Sequence, residues 1–418
     1  MKLSASTSFR ARSRILRPYG TRIIAGKTEA SVTNSLNATW ELLIAVPADF
    51  CGIQAIFAAG KNAAGNTGAP TISASWAPVP STVGSEIDAS TWTSLLFSGA
   101  TTATLVASAS SIRRAYLVSD FSAGISKART DGGTMRLIAI RLYAPATADP
   151  LCLLGGSGMT YSGWETDASG RIFRLRKASG SDFTSGASFD GNASATSASP
   201  IIGLRWFTKS GYVTTVMGLG DSNIEGMESG LKGKGWPFYA MKDLVPADGS
   251  AVEYLSMGWG GQTISRIGQN LVDLIAAGLA PDVAFLPAGT INNVTGTIDD
   301  TEVATLLGGH RRQIGLCADA GIVPIPATWQ PYNHNAFNLG ASDSKRRDLN
   351  TLVLADTTFK VADVSTAVSG VDDGNGMIEL AASMNLDNTH LNAVGNAAAG
   401  DAAQATLLQA CPWLRAAA

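Results

Sequence analysis

The sequence predicts a chain in two parts, an antiparallel β-sandwich followed by a three-layer α/β/α domain. From about residue 31 to 205, short runs alternating apolar with polar residues are separated by loops rich in Gly, Ser, Pro and Asn, and no long helical period intervenes. From 212 onward, short β-branched runs alternate with longer amphipathic segments, which is the pattern of βαβ units on a parallel sheet. The length of 418 residues exceeds one usual domain, and 45% apolar against 15% charged residues describes a globular chain with enough material for two cores. The expected division is a basic arm over 1–30, a sandwich over 31–207 and the α/β/α domain over 208–418.

The arm carries Lys2, Arg10, Arg12, Arg14, Arg17, Arg22 and Lys27 against Glu29 alone. A solvated terminus or an entry strand is the commoner meaning of such a run, and contact with an anionic partner the rarer. The sandwich strands are expected at 40–46, 52–58, 71–76, 91–97, 115–118 and 135–143. Residues 155–200 are expected to be surface loops with a strand near 171–175, and the run 201–207 should close a jelly-roll-like sandwich. Trp76, Trp92, Tyr161 and Trp164 are candidates for stacking on sugar rings, although aromatics at such positions more often belong to a core or cover a sheet edge. In the second part, parallel strands are expected at 213–217, 251–257, 282–287, 322–327 and 358–364. Helices are expected near 236–245, 263–279, 300–320, 343–356 and 392–410. In the 300–320 helix, His310 shares a face with Leu306, Leu307, Ile314 and Cys317 and reads as a packed residue.

Several function classes are disfavoured by composition. A net charge of −2 gives no reason to expect nucleic acid as a partner. Cys51, Cys152, Cys317 and Cys411 are far apart with no ligand spacing, so no metal and no cofactor is expected. The absence of an eighteen-residue apolar run argues against a membrane span. The N-terminal cations precede no apolar stretch, so no signal peptide is expected within this sequence. The compartment stays open, and an extracellular or virion-surface setting is compatible with it.

Two stretches carry chemistry. The apolar run starting at Val213 breaks at Gly218 and Gly220 and presents Asp221 and Ser222 at the C-terminal end of a strand, where parallel sheets keep their ligand sites. A serine on such a turn can expose its hydroxyl and offer its own N–H to an oxyanion, although Gly-Asp-Ser triplets also occur as plain loops. Near the C-terminus, Asp387-Asn388-Thr389-His390 sets a carboxylate and an imidazole three positions apart, so that the acid can orient the ring. Serine, aspartate and histidine in that order can form a nucleophilic set.

From about residue 212 to the end, the chain resembles the SGNH (GDSL-type) serine hydrolases through four blocks. They are Gly220-Asp221-Ser222, then Gly258-Trp-Gly-Gly261-Gln-Thr263, then Gly289-Thr-Ile-Asn292-Asn293, and lastly Asp387-x-x-His390. The resemblance implies a flavodoxin-like five-stranded parallel sheet in order 2-1-3-4-5. It further implies Ser222 as nucleophile, His390 as base, Asp387 as its orienter, and an oxyanion hole made by Ser222, Gly261 and Asn292. The third block departs from the usual Gly-x-Asn-Asp by one inserted residue and by Asn293 at the acidic position, which leaves Asn292 and Asn293 as alternatives, with Asn292 preferred. The elbow motif Gly-x-Ser-x-Gly is missing, since position 224 is Ile, which argues against an ordinary α/β-hydrolase elbow.

Trp259, inside the second block, and Trp329, after the fourth strand, are candidate walls of an acyl pocket, and His334 stands nearby in sequence. A pocket narrowed by indoles suits acetyl. Together with the sandwich this favours O-deacetylation of a carbohydrate, as in two-domain acetyl esterases of the family. The alternatives are hydrolysis of lipid, thioester or aryl esters on the same machinery, or a glycan-binding surface or tail protein with a degenerate esterase domain.

Overall fold

The structure is a computed structural model. It describes residues 17–23, 28–33, 37–59, 69–79, 92–106, 115–125, 136–146, 152–155, 165–166, 172–185, 189, 193–195 and 198–209, followed by 211–226, 234–294, 298–333, 340–372, 374 and 376–417. Lys2, Arg10, Arg12, Arg14, Lys27, Tyr161, Trp164 and His334 lie outside the described residues.

The N-terminal half contains two antiparallel sheets on one core. Their main strands are β1 (Tyr19–Ile23), β2 (Ala38–Val46), β3 (Phe50–Ala59), β4 (Thr71–Val79), β5 (Ala115–Val118), β6 (Arg136–Ala144), β7 (Ile172–Ser179) and β8 (Ile201–Thr208). One sheet runs β1-β8-β3-β5 and the other β7-β2-β6-β4. Period-two alternation decides what faces inward. Trp40, Leu42 and Ile44 of β2 meet Ile138, Ile140 and Leu142 of β6, and across the core Phe50, Ile53 and Phe57 of β3 meet Leu204 and Trp206 of β8. Part of the basic arm is thus an edge strand, with Tyr19 paired to Phe207 and Ile23 to Gly203.

The outer face of the second sheet departs from expectation. Glu41 alternates away from the core and should be wet, yet it is completely buried. It accepts from Arg141 Nε at 2.8 Å and from Arg176, while Arg141 donates to the carbonyl of Phe183 at 2.8 Å. Residues Phe183 and Phe189, expected in a surface loop, pack together there and cover the charges. Trp92 lies over the Arg141 guanidinium at 4.1 Å, and Trp76 is a core residue whose Nε1 donates to Ser122. Both described candidates for sugar stacking therefore have structural partners.

The second half begins with β9 (Val213–Gly220), β10 (Ala251–Gly258), β11 (Val283–Pro287) and β12 (Val323–Ala327), all paired in parallel in the order β10-β9-β11-β12. The expected fifth strand at 358–364 is reduced to a single parallel bridge between Ala327 and Ala362. Prolines explain this correction. On β12 the N–H of Val323 points to β11, donating to Asp282 O at 2.9 Å, so residues 324, 326 and 328 point their donors the other way. Positions 324 and 326 are prolines with no donor, and only Thr328 N–H reaches across, to Ala362 O at 3.0 Å.

One face of the sheet packs on α2 (Trp236–Met241), α6 (Val364–Val368) and α7 (Ala393–Ala410). The other packs on α3 (Ile264–Ala276), α4 (Asp300–Asp319) and α5 (Gly340–Leu354). Their starts are written locally: Thr263 caps α3, Asn392 caps α7, and Asp299 with Glu302 forms a capping box at α4. His310 is buried in the α4 interface, which pushes its imidazole pKa down to about 4.

The two halves share a core. Ile23, Ile56, Ala58 and Ile202 belong to the same apolar cluster as Met217, Leu219, Leu255, Met257 and Leu271. Polar ties cross the same seam: Trp206 Nε1 donates to the buried Glu253 at 2.9 Å, Tyr116 Oη to Asn270 at 2.6 Å, and Arg17 pairs with Asp282 at 3.3 Å. A fragment starting at residue 208 would expose that apolar face and deprive Glu253 of its indole donor. It is expected to aggregate or to bind a hydrophobic dye strongly; a soluble fragment with the melting temperature of the full chain would show the two cores to be independent.

Candidate active site

The turn that carries Ser222 is built from local rules. β9 ends at Gly220, where a Cβ would stand 2.2 Å from Ile224 Cγ1, so only glycine permits the immediate turn into α1 (Ser222–Glu225). Asp221 caps that helix, its side chain accepting the Asn223 N–H at 3.0 Å, and Gly226 at φ +72° ends it. Ser222 is the first residue of α1, so its N–H has no acceptor within the helix and is free to serve a ligand.

The second element is the loop before α7. Asp387 Oδ1 accepts the N–H groups of Thr389 at 3.0 Å and His390 at 2.8 Å, folding the loop into a tight turn with Asn388 at φ +71°. Its other oxygen, Oδ2, lies 2.8 Å from His390 Nδ1, and His390 Nε2 lies 2.8 Å from Ser222 Oγ. An ionised carboxylate can only accept, so Nδ1 carries the proton and Nε2 is left to accept the serine hydroxyl. Partial burial works against the charge on Asp387, but the hydrogen bonds from the His390 ring and from the two backbone N–H groups outweigh it and hold the carboxyl below the ordinary carboxylate range.

Three asparagines that carry no motif in the sequence join these pieces. Asn223 Oδ1 accepts the N–H of Leu391 at 3.3 Å, tying the histidine loop to the Ser222 turn. Asn385 Oδ1 accepts the N–H of Asn388 at 2.7 Å, and Asn333 N–H donates to Asn388 O at 2.9 Å. Only Asn223 had a signal to offer, as the residue directly after the serine. Asp221 also sits beneath the site. Burial pushes its pKa up to about 6, against the Asn223 N–H and the His390 charge, which pull it down.

The expected oxyanion donors outside the Ser222 turn lie after two further strands. After β10, Gly261 adopts φ +77° with open space where a Cβ would be. After β11, Thr290 caps the turn Ile291–Asn293, and its hydroxyl donates to Gln262 O at 2.8 Å, fastening the third block to the second. Asn292 Nδ2 donates to the same carbonyl at 3.1 Å, with one amide hydrogen remaining. Asn293 turns the other way. Its Oδ1 accepts the N–H of Ile264 at 3.0 Å, holding the first turn of α3.

The indoles need correction. Trp259 is only 1% exposed and packs within the apolar core. Trp329 is also buried, with Nε1 donating to Tyr332 Oη at 2.8 Å and its ring filling the space above Gly289. It does border a small recess of about 30 Å³, lined by Ile291, Val294, Ile298, Tyr332 and Met377 and also by Asn333, Ser342, Asp343 and Arg346. Among the described residues no three His, Cys, Asp or Glu side chains group so as to hold a metal ion, and no helix is long and apolar enough to cross a membrane.

No protein-family model matches the sequence, and no curated protein matches it. Among solved structures, a GDSL-like lipase from Bacteroides thetaiotaomicron is 18% identical with a TM-score of 0.35, the match covering 48% of this chain and 88% of that one. A psychrotrophic esterase from Pseudoalteromonas sp. is 17% identical with a TM-score of 0.34, covering 47% of this chain and 97% of that one. An acetyl xylan esterase is 18% identical with a TM-score of 0.32, covering 45% and 96%. At such identities and scores, any assignment of chemistry to this chain rests on its own side chains. What the chain resembles in these comparisons is the GDSL-type lipolytic hydrolases, over just under half of its length.

Proposed function

We propose that the chain is a serine esterase of the SGNH type that hydrolyses small acyl esters. The observation that carries this reading is the unbroken relay from Ser222 Oγ to His390 Nε2 and from His390 Nδ1 to Asp387 Oδ2, each link 2.8 Å. His390 takes the hydroxyl proton as Ser222 Oγ attacks the ester carbonyl. Asp387 keeps the ring in the accepting tautomer and stabilises the imidazolium. The N–H groups of Ser222 and Gly261 and the side chain of Asn292 receive the tetrahedral oxyanion. His390 then protonates the departing alcohol, and the acyl-serine is hydrolysed by water through the same base. The cycle calls for no cofactor.

Within this reading residues 208–418 are the catalytic domain and 31–207 an accessory jelly-roll-type sandwich, and the preferred substrate is an acetylated carbohydrate. Acetyl is favoured because the Trp329 ring fills the space above Gly289 in the third block and leaves only a small recess beside it. One observation favours a second reading: the wall of the small recess beside Trp329 is mainly apolar, as a longer acyl chain would require. A series of p-nitrophenyl esters from acetate to octanoate separates the two. kcat/KM falling about tenfold or more from acetate to octanoate is expected, with acetate released from an acetylated polysaccharide; a maximum at hexanoate or octanoate would favour a lipid or thioester substrate. Loss of about 1–3 kcal/mol per misfitted methylene sets the scale.

A further inference from the structure

The helix that carries Ser222 has four residues, and its last, Glu225, takes no part in the serine relay. It is fully buried. Glu225 Oε2 accepts the N–H of Gly260 at 2.6 Å, and Oε1 has no hydrogen-bond partner among the described residues. A buried carboxyl with an unmatched oxygen is costly to keep, and a leucine would fill the same space without that cost.

What the carboxyl holds is the loop that leads to Gly261. That loop is fastened to the nucleophile turn at three successive residues. Gly258 lies so close that a Cβ would stand 2.2 Å from the Glu225 backbone N, and Trp259 N–H donates to Gly220 O at 3.0 Å. The third point is the side-chain bond from Glu225 to Gly260, directly before the residue at φ +77°. Burial pushes the Glu225 pKa up to about 8, opposed by the Gly260 N–H and reinforced by the Asp221 charge. At neutral pH the group is therefore mainly an uncharged acceptor, and it sets little negative charge beside a forming oxyanion.

We propose that Glu225 is a positioning residue that holds the Gly261 N–H in register with Ser222, so that one helical turn carries both the nucleophile and the anchor of an oxyanion donor. Gly260 N–H is the bonded group and Gly261 N–H the donor it aligns. The proposal rests on the esterase reading above.

The test uses the full chain with Glu225→Ala and Glu225→Gln, following kcat and KM on p-nitrophenyl acetate together with Tm. The Glu225→Ala variant should lose roughly 10- to 100-fold in kcat with KM within about twofold, less than the roughly 10²–10³ of outright donor loss. Glutamine offers an uncharged oxygen to the same N–H and should restore kcat to within about threefold. If the alanine variant does not fold, Glu225→Asp, one methylene too short to reach Gly260, takes its place with the same expectation. An unchanged kcat in the alanine or aspartate variant, or a glutamine variant as impaired as alanine, overturns the proposal. Ser222→Ala run alongside separates the two readings. Turnover that depends on Ser222 but not on residue 225 removes only the role of Glu225, whereas turnover independent of Ser222 removes the esterase reading itself.

Discussion

Replacing Ser222 with alanine is expected to lower kcat about 10⁶-fold, the scale on which serine hydrolases respond to loss of the nucleophile. The fold should be almost indifferent. The side chain is 8% exposed at the rim of the sheet, its hydroxyl is bonded to the His390 ring, and the turn is held by Asp221 and the glycines around it. Deleting one hydroxyl there opens no core cavity, so Tm should move by no more than about 1 °C, equivalent to about 1 kcal/mol or less in a chain of this size. Steady-state turnover of p-nitrophenyl acetate and a thermal melt on the same sample decide it. A variant within about tenfold of wild-type activity would remove Ser222 as nucleophile and, with it, the assignment.

The second large effect belongs to Asp387. Asparagine at 387 can still accept the N–H groups of Thr389 and His390 through its single oxygen, so the loop should keep its shape. Its amide nitrogen then faces His390 Nδ1 and, being a donor, forces the ring proton onto Nε2, where it blocks acceptance from Ser222. The expected loss is about 10⁴-fold in kcat. In the wild type only the neutral ring can act as base. Asp387, held below the ordinary carboxylate range, is ionised at neutral and alkaline pH. In Asp387→Asn the loss should persist on the alkaline plateau, since a wrong tautomer is not repaired by removing protons from solution. A pH–rate profile of kcat/KM checks this; a variant that shifts only its acid limb and regains full activity at high pH would leave the ring oriented by something other than Asp387.

The legible parts of the site are those written in short stretches of chain. Gly220-Asp221-Ser222 contains its own explanation: a strand end, a position too tight for a side chain, a helix cap and the first free N–H. Asp387-x-x-His390 is likewise local, because the carboxylate that faces the ring also folds the turn between them. Residues acting across the fold were not legible. Glu225 reads as one more polar residue on a short helix until Gly260 is found 2.6 Å from it, and Asn223 until Leu391 is found at its amide oxygen. The lost fifth strand is an intermediate case. Pro324 and Pro326 stood in the sequence, but their meaning depended on which edge of β12 their missing donors would have faced.

By itself the sequence determined the alternations that separate an antiparallel first half from a parallel second half, the helix starts set by capping residues, and the turns that present Ser222 and His390. Each follows from interactions among residues a few positions apart, and such interactions survive without knowledge of the fold. Tertiary structure alone decided that Glu41 lies buried between Arg141 and Arg176, that Trp259 is core, and that the first half covers an apolar face of the second through Ile56, Ile202 and Trp206. Alternation says which side of a strand faces inward only when one side is wet. Where a loop or a second sheet closes over the other side, a charged residue can be buried with partners that the sequence places about a hundred positions away or more.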